Sequence, residues 1–195
     1  MLETSEIKDI TEKLKRGDFS LIGIDGIDGS GKSALAKRLS SELSYVHIEL
    51  DNYIEKYRGR FVQHIKHDEV REKIKKAQSS VIVEGICLFK VFEKLKMSPD
   101  LFIYIKKMSD DGLWQDESKC NVQGDIDKFM TEMKKAFGKF VDVDAGIEGG
   151  LLESGKTSFS ELVEEIIRYH YEHKPHLKAD LIYRRTGMAT NYNAG

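Results

Sequence analysis

Eight residues near the start of the chain have the types and order needed to hold a chain of phosphates. Gly26-Ile27-Asp28-Gly29-Ser30-Gly31-Lys32-Ser33 matches the pattern G-x-x-x-x-G-K-[ST]. Glycines adopt backbone angles closed to other residues, so successive N–H groups can turn inward toward phosphate oxygens. A helix starting at the end of such a loop adds the positive end of its dipole. In this pattern Lys32 reaches the β- and γ-phosphates and the Ser33 hydroxyl holds Mg²⁺. The expected nucleotide contacts are Gly26, Asp28, Gly29, Ser30, Gly31, Lys32, Ser33 and Ala34, with ATP and Mg²⁺ as cofactors.

Carboxylates elsewhere could complete a transfer site. Glu84 follows the apolar run Val81-Ile82-Val83. A buried strand that delivers a carboxylate beside a phosphate loop suits a Mg²⁺ partner, direct or through water. Asp51 lies in Glu49-Leu50-Asp51-Asn52-Tyr53 and is the candidate base for an acceptor hydroxyl. Its plain alternative is a turn or helix-capping aspartate. Asp25, just before the loop, suits orienting the loop amides. Tyr53, Arg58, Arg60 and Arg168 join Asp51 and Glu84 as candidate substrate contacts, with a solvated loop as the alternative for Arg58 and Arg60.

These residues need elements to position them. Ile7, Ile10 and Leu14 share one face of an expected helix over 4–16, with Gly17 as its stop. Leu21-Ile22-Gly23-Ile24 reads as a buried strand ending at Asp25. Leu35, Leu39 and Leu43 give a helix from about Lys32 to Leu43 one apolar face. Further strands are expected at Tyr45–Leu50, Val81–Val83, Leu101–Ile105 and Leu181–Tyr183. Further helices are expected at 64–77, 89–96, 125–137 and 159–173. A Gly-rich segment covers 146–155. Alternating strands and helices predict an α/β fold: a five-stranded, mainly parallel sheet with helices on both faces. Ligands of such sheets bind beyond the carboxyl ends of the strands, where Asp25, Asp51 and Glu84 all fall.

Taken in order, these segments resemble the uridine-kinase-like branch of the P-loop kinases. Ile24-Asp25-Gly26 leads into the loop ending Gly31-Lys32-Ser33. Asp51-Asn52-Tyr53 is similar to the family's Asp-x-Phe-Tyr segment, and Val81-Ile82-Val83-Glu84-Gly85-Ile86 to its strand ending in Glu-Gly-Ile. Asp100 to Ile105, Lys174-Pro175 and Ala179-Asp180-Leu181-Ile182 resemble its later segments. The resemblance covers about half the chain. It implies a three-layer P-loop fold, ATP-Mg²⁺ transfer to a hydroxyl of a nucleoside-like small molecule, and Asp51 as the base. The loop also resembles that of thymidylate kinase, but that family's Asp-Arg-Tyr/Phe segment is missing. The arginine-rich lid expected after the fourth strand is missing too: Lys106-Lys107 stand there, and no arginine lies between Arg71 and Arg168. Lysine lacks the planar fork of arginine. Lysines of 106–135 or Arg168 would have to clamp the phosphates, or else transfer is weak and the chain is a nucleotide-binding regulator.

Composition sets the outer bounds. The chain has 195 residues, 40% hydrophobic, with a formal charge of -2. That fits a single domain over 1–195 with an insert or lid around 107–156. Near-balanced charge gives no general case for nucleic-acid binding. Cys87 and Cys120 form neither a CxxC pair nor a zinc pattern. No apolar run reaches the ~18–20 residues of a membrane span. A cytoplasmic setting is expected, with a small-molecule acceptor and no nucleic-acid or membrane partner; a homo-oligomer is compatible. No Asn-Lys-x-Asp segment for reading guanine is present. His64 and His67 lack metal-binding partners, and His170, His173 and His176 read as solvent-exposed. Trp114, Phe129, Phe137 and Phe140 read as core or lid packing.

Overall fold

The apolar runs become strands because each is covered on both faces. Every residue of Leu21–Asp25 is buried, as is every residue of Val81–Glu84. The computed structural model describes residues 2–55, 59–144 and 160–187. Arg58 and the Gly-rich segment 146–155 lie outside them.

In chain order the elements are β1 (Leu2–Thr4), α1 (Ile7–Arg16), β2 (Leu21–Asp25), α2 (Lys32–Leu43) and β3 (Val46–Glu49). Two 3₁₀ turns follow, Leu50–Tyr53 and Val62–His64. Then come α3 (His67–Lys76), β4 (Val81–Glu84), α4 (Leu88–Leu95), β5 (Leu101–Lys107), α5 (Glu117–Cys120), α6 (Ile126–Asp144), α7 (Glu161–His173), α8 (Pro175–Lys178) and β6 (Leu181–Arg185).

The sheet has six strands in the order β1-β6-β5-β2-β4-β3, and every pairing is parallel. This is one strand more than the sequence predicts. Leu2–Thr4 pairs with Leu181–Tyr183 at the sheet edge, so Thr4, expected to open the first helix, ends this strand. Thr4 separates the two elements: its Oγ1 accepts from Glu6 N at 3.0 Å and donates to Asp9 Oδ2 at 2.6 Å. The strand breaks before the helix begins.

Alternation along the strands feeds two cores. Ile22, Ile24, Ile103, Ile105 and Leu181 pack with Leu35 and Leu39 of α2 and Leu14 of α1. Val83, Phe102, Tyr104 and Ile182 pack on the other face, with α3, α4 and α7. Gly23 faces Leu88, Phe92 and Phe102, and a Cβ there would lie 3.0–3.2 Å from all three. Strand starts are stapled by aspartates. Asp100 Oδ2 accepts from Ser20 N and Leu21 N at 2.9 Å, and Asp180 Oδ2 accepts from Phe102 N at 2.8 Å.

One surface expectation is overturned. His170 and His176 are buried, at 1% and 3% exposure. The inner face of α7 lies on β5, so His170 Nε2 meets the Tyr104 hydroxyl at 2.8 Å. Burial pushes both imidazoles down to about 4. Trp114 packs in the same place, edge-on to Tyr104, as its aromatic character predicts. Among the described residues no helix is long and apolar enough to cross a membrane.

Candidate active site

An all-parallel sheet sends every carboxyl end to one edge. β2 delivers the glycine loop there, and β4 and β3 deliver Glu84 and the turn carrying Asp51. These three segments line a single cleft of about 400 Å³. The loop contributes Asp28, Gly29, Gly31, Lys32, Ser33 and Ala34. Asp51 and Glu84 face them, and Ile54, Phe61, Ile86 and Leu162 form an apolar wall.

The loop is built as its sequence requires. Gly29 and Gly31 have φ of +71° and +95°, where a side chain would be strained. Lys32 is 8% exposed, and its Nζ donates to Ile27 O at 2.9 Å, which curls the loop around the ammonium. Ser30 Oγ is buried and has no hydrogen-bond partner. A buried hydroxyl left unpaired inside such a loop suits an anionic ligand.

Asp25 holds the base of the loop. It is fully buried. Its Oδ1 accepts from Gly26 N at 2.7 Å, and its Oδ2 accepts from Leu88 N at 3.2 Å and from the Tyr169 hydroxyl. Burial raises its carboxyl to about 6, against the opposing pull of the Tyr169 hydrogen bond, the Gly26 amide and the Lys32 charge. Fully buried and bound to two backbone amides and a phenol, the side chain fixes the strand-to-loop turn.

Glu84 is 2% exposed, and its Oε1 has no hydrogen-bond partner. His47 Nε2 stands 3.7 Å away, too far for a hydrogen bond. A buried carboxylate oxygen left unpaired is costly unless something cationic meets it. Ser33 Oγ and Glu84 therefore fit Mg²⁺, which takes one or two protein oxygens and fills its shell with water and phosphate. Among the described residues no cluster of three or more His, Cys, Asp or Glu gathers as a denser metal site.

Asp51 stands at the mouth of the cleft on the first 3₁₀ turn, open to solvent. The neighbouring Leu50 is fully buried and anchors the turn. A Cβ on Gly85 would lie 2.7 Å from Leu50 Cδ1. The glycine after Glu84 thus lets the ends of β3 and β4 close on each other. Partial burial, then the charge of Glu84, raise the Asp51 carboxyl above its ordinary value. That direction suits a proton acceptor.

The other sequence candidates fall elsewhere. Tyr53 packs against the core beside α3 and does not line the cleft. Arg60 is exposed on the segment that leads to Phe61. Arg168 is held outside the cleft, bound to Glu164 at 3.0 Å and Asp127 at 2.8 Å, where it ties α7 to α6. Lys134 joins the same network, 2.7 Å from Glu164.

Sequence reasoning misses the apolar wall. Phe61 lies far from the loop in sequence and gains its place from α7, where Glu165 accepts from the Phe61 and Val62 amides. It also misses Arg185. The strand expected to stop at Tyr183 continues two residues, and Arg185 Nη1 approaches Gly29 O at 3.4 Å. Extending that strand to the same edge as Asp25, Asp51 and Glu84 would have exposed it.

Comparisons with known proteins bear on the fold. Residues 28–87 match the family model of shikimate kinase, a stretch that begins in the loop and ends just after Glu84. A solved structure described as a possible uridine kinase from Bacillus stearothermophilus is 14% identical, with a TM-score of 0.50. The similarity covers 91% of this chain and 96% of that one. An uncharacterized protein from Eubacterium ventriosum is 17% identical over 85% of this chain and 88% of its own, with a TM-score of 0.34. No curated protein matches. The chain has a P-loop kinase fold.

Proposed function

We propose that this chain is an ATP-dependent kinase that moves the γ-phosphoryl group to a hydroxyl of a neutral, ring-bearing small molecule, a nucleoside being the best fit. One observation carries the reading: the phosphate loop, Asp51, Glu84 and an apolar wall line the same cleft. The apolar wall offers Phe61 and Leu162 to a ring, while the carboxylates suit hydroxyl groups. The uridine-kinase-like order of segments in the sequence supports the same acceptor.

Each group then has one task. The amides of the glycine loop and Lys32 hold the phosphates, and Asp51 takes the proton of the attacking hydroxyl. Ser33 and Glu84 would hold Mg²⁺, which when bound neutralises charge on the β- and γ-oxygens. Asp25 and Tyr169 keep the loop in shape, so catalysis comes mostly from positioning and charge neutralisation.

The test is a coupled ADP-release assay over nucleosides, nucleoside monophosphates, shikimate, pantothenate and sugars. Turnover stimulated by a nucleoside supports the proposal. Turnover with shikimate alone would replace the acceptor and keep the kinase. No stimulation across the panel, with ADP still bound, would favour a nucleotide-binding regulator, the reading that the position of Arg168 outside the cleft also supports.

A further inference from the structure

We infer that Arg185 clamps the nucleoside end of the donor nucleotide, an inference that rests on reading the loop as an ATP site. Its guanidinium lies against the loop. Arg185 Cδ and Nη1 are each 2.8 Å, and Cζ 3.0 Å, from where a Cβ on Gly31 would stand. Only glycine leaves the backbone bare enough for that approach. Nη1 reaches Gly29 O at 3.4 Å, a long and weak hydrogen bond that a ligand can displace cheaply.

Sheet order sets the direction of the nucleotide. Asp51 follows β3 and Glu84 ends β4, both on one side of β2. The γ-phosphoryl group must face Asp51 to be transferred. The α-phosphate and nucleoside therefore leave the loop on the other side, over the ends of β5 and β6. Arg185 ends β6 there, paired in register with Lys107 of β5.

Two neighbouring cations on that side, Lys106 and Arg184, are engaged elsewhere. Lys106 Nζ lies 4.9 Å from the centre of the Trp114 ring. Arg184 is turned to Glu3 at 3.7 Å and Gly112 O at 3.3 Å. Successive strand residues point to opposite faces. Tyr183, on the same face as Arg185, packs in the core shared with α2. Arg185 is thereby placed on the face of the helix that the loop opens. A planar guanidinium there can stack on a purine and donate to the ribose, which an ammonium cannot do together.

The experiment is calorimetric titration of ADP and of tripolyphosphate, each with Mg²⁺, into wild type, Arg185→Ala and Arg185→Lys. ADP affinity is expected to fall about tenfold in Arg185→Ala, with lysine failing to restore it fully. Tripolyphosphate, which has no nucleoside, is expected to bind all three proteins within about twofold. Unchanged ADP affinity overturns the inference. Equal losses for ADP and tripolyphosphate also overturn it, because the side chain would then be serving the loop or the phosphates alone. If wild type binds neither ligand, the ATP-site reading itself fails.

Discussion

The carboxyl edge of the sheet has two unlike halves, divided at β2. Toward β4 and β3 it carries carboxylates, Glu84 and Asp51, and an apolar wall. Toward β5 and β6 it carries Lys106, Lys107, Arg184 and Arg185. The glycine loop and Lys32 sit between. A phosphate chain laid across this edge has a defined polarity. On the proposed function, its reacting end would meet Asp51 and its other end Arg185. If the proposed function holds, one sheet edge separates the two jobs of a kinase, activating an acceptor and retaining a donor.

The contrast breaks most visibly on the acidic side. Asp51→Asn is expected to lower kcat by about 10²–10⁴, with ADP affinity unchanged by titration. A fall in ADP affinity instead would move Asp51 to the donor half. At the divide, Lys32→Ala is expected to lower kcat/KM by about 10²–10³ and to weaken ATP as well, since it serves both halves.

Asp25 sharpens the comparison from below. Its carboxyl sits at about 6 in the folded protein against 3.8 when free. In the folded state it therefore keeps its proton where the unfolded chain has lost it. The stability this lends is fully present below pH ~4 and is lost as pH rises to about 6, on the order of 3 kcal/mol. Urea midpoints from pH 4 to 7 should show that fall in wild type relative to Asp25→Asn. Taking the difference cancels the opposite slope from His170 and His176, which stay neutral in the fold where the unfolded chain is protonated. The smallest expected effect is on the apolar wall. Leu162→Ala should raise KM for the acceptor about tenfold and leave KM for ATP alone. A change in KM for ATP would show that the halves are not separate at this point.

Much of the central sheet was legible because β2, β4 and β5 are buried on both faces and so read as unbroken apolar runs. β1 was not, because three residues with two exposed give no period. The loop was legible because its chemistry demands glycines at fixed places. Glu84 and Asp51 could be placed at the edge from strand ends alone. The contact between Asp25 and Tyr169 spans 144 residues and leaves no local signal. Arg168 looked available because a sequence does not display its ion pairs. Arg185 was hidden by an error of two residues at a strand end.

Helix α7 reaches both the apolar wall of the cleft and the base of the loop. Near its start Leu162 lines the apolar wall, and Glu165 holds the backbone of Phe61 and Val62. Two turns on, Tyr169 binds the aspartate beneath the phosphate loop. About 10 Å of rigid rod separates Leu162 from Tyr169. The helix therefore ties the wall of the cleft and the base of the phosphate loop to one rigid element. On the proposed function, the spacing between the acceptor wall and the loop that holds the donor is set by this one helix.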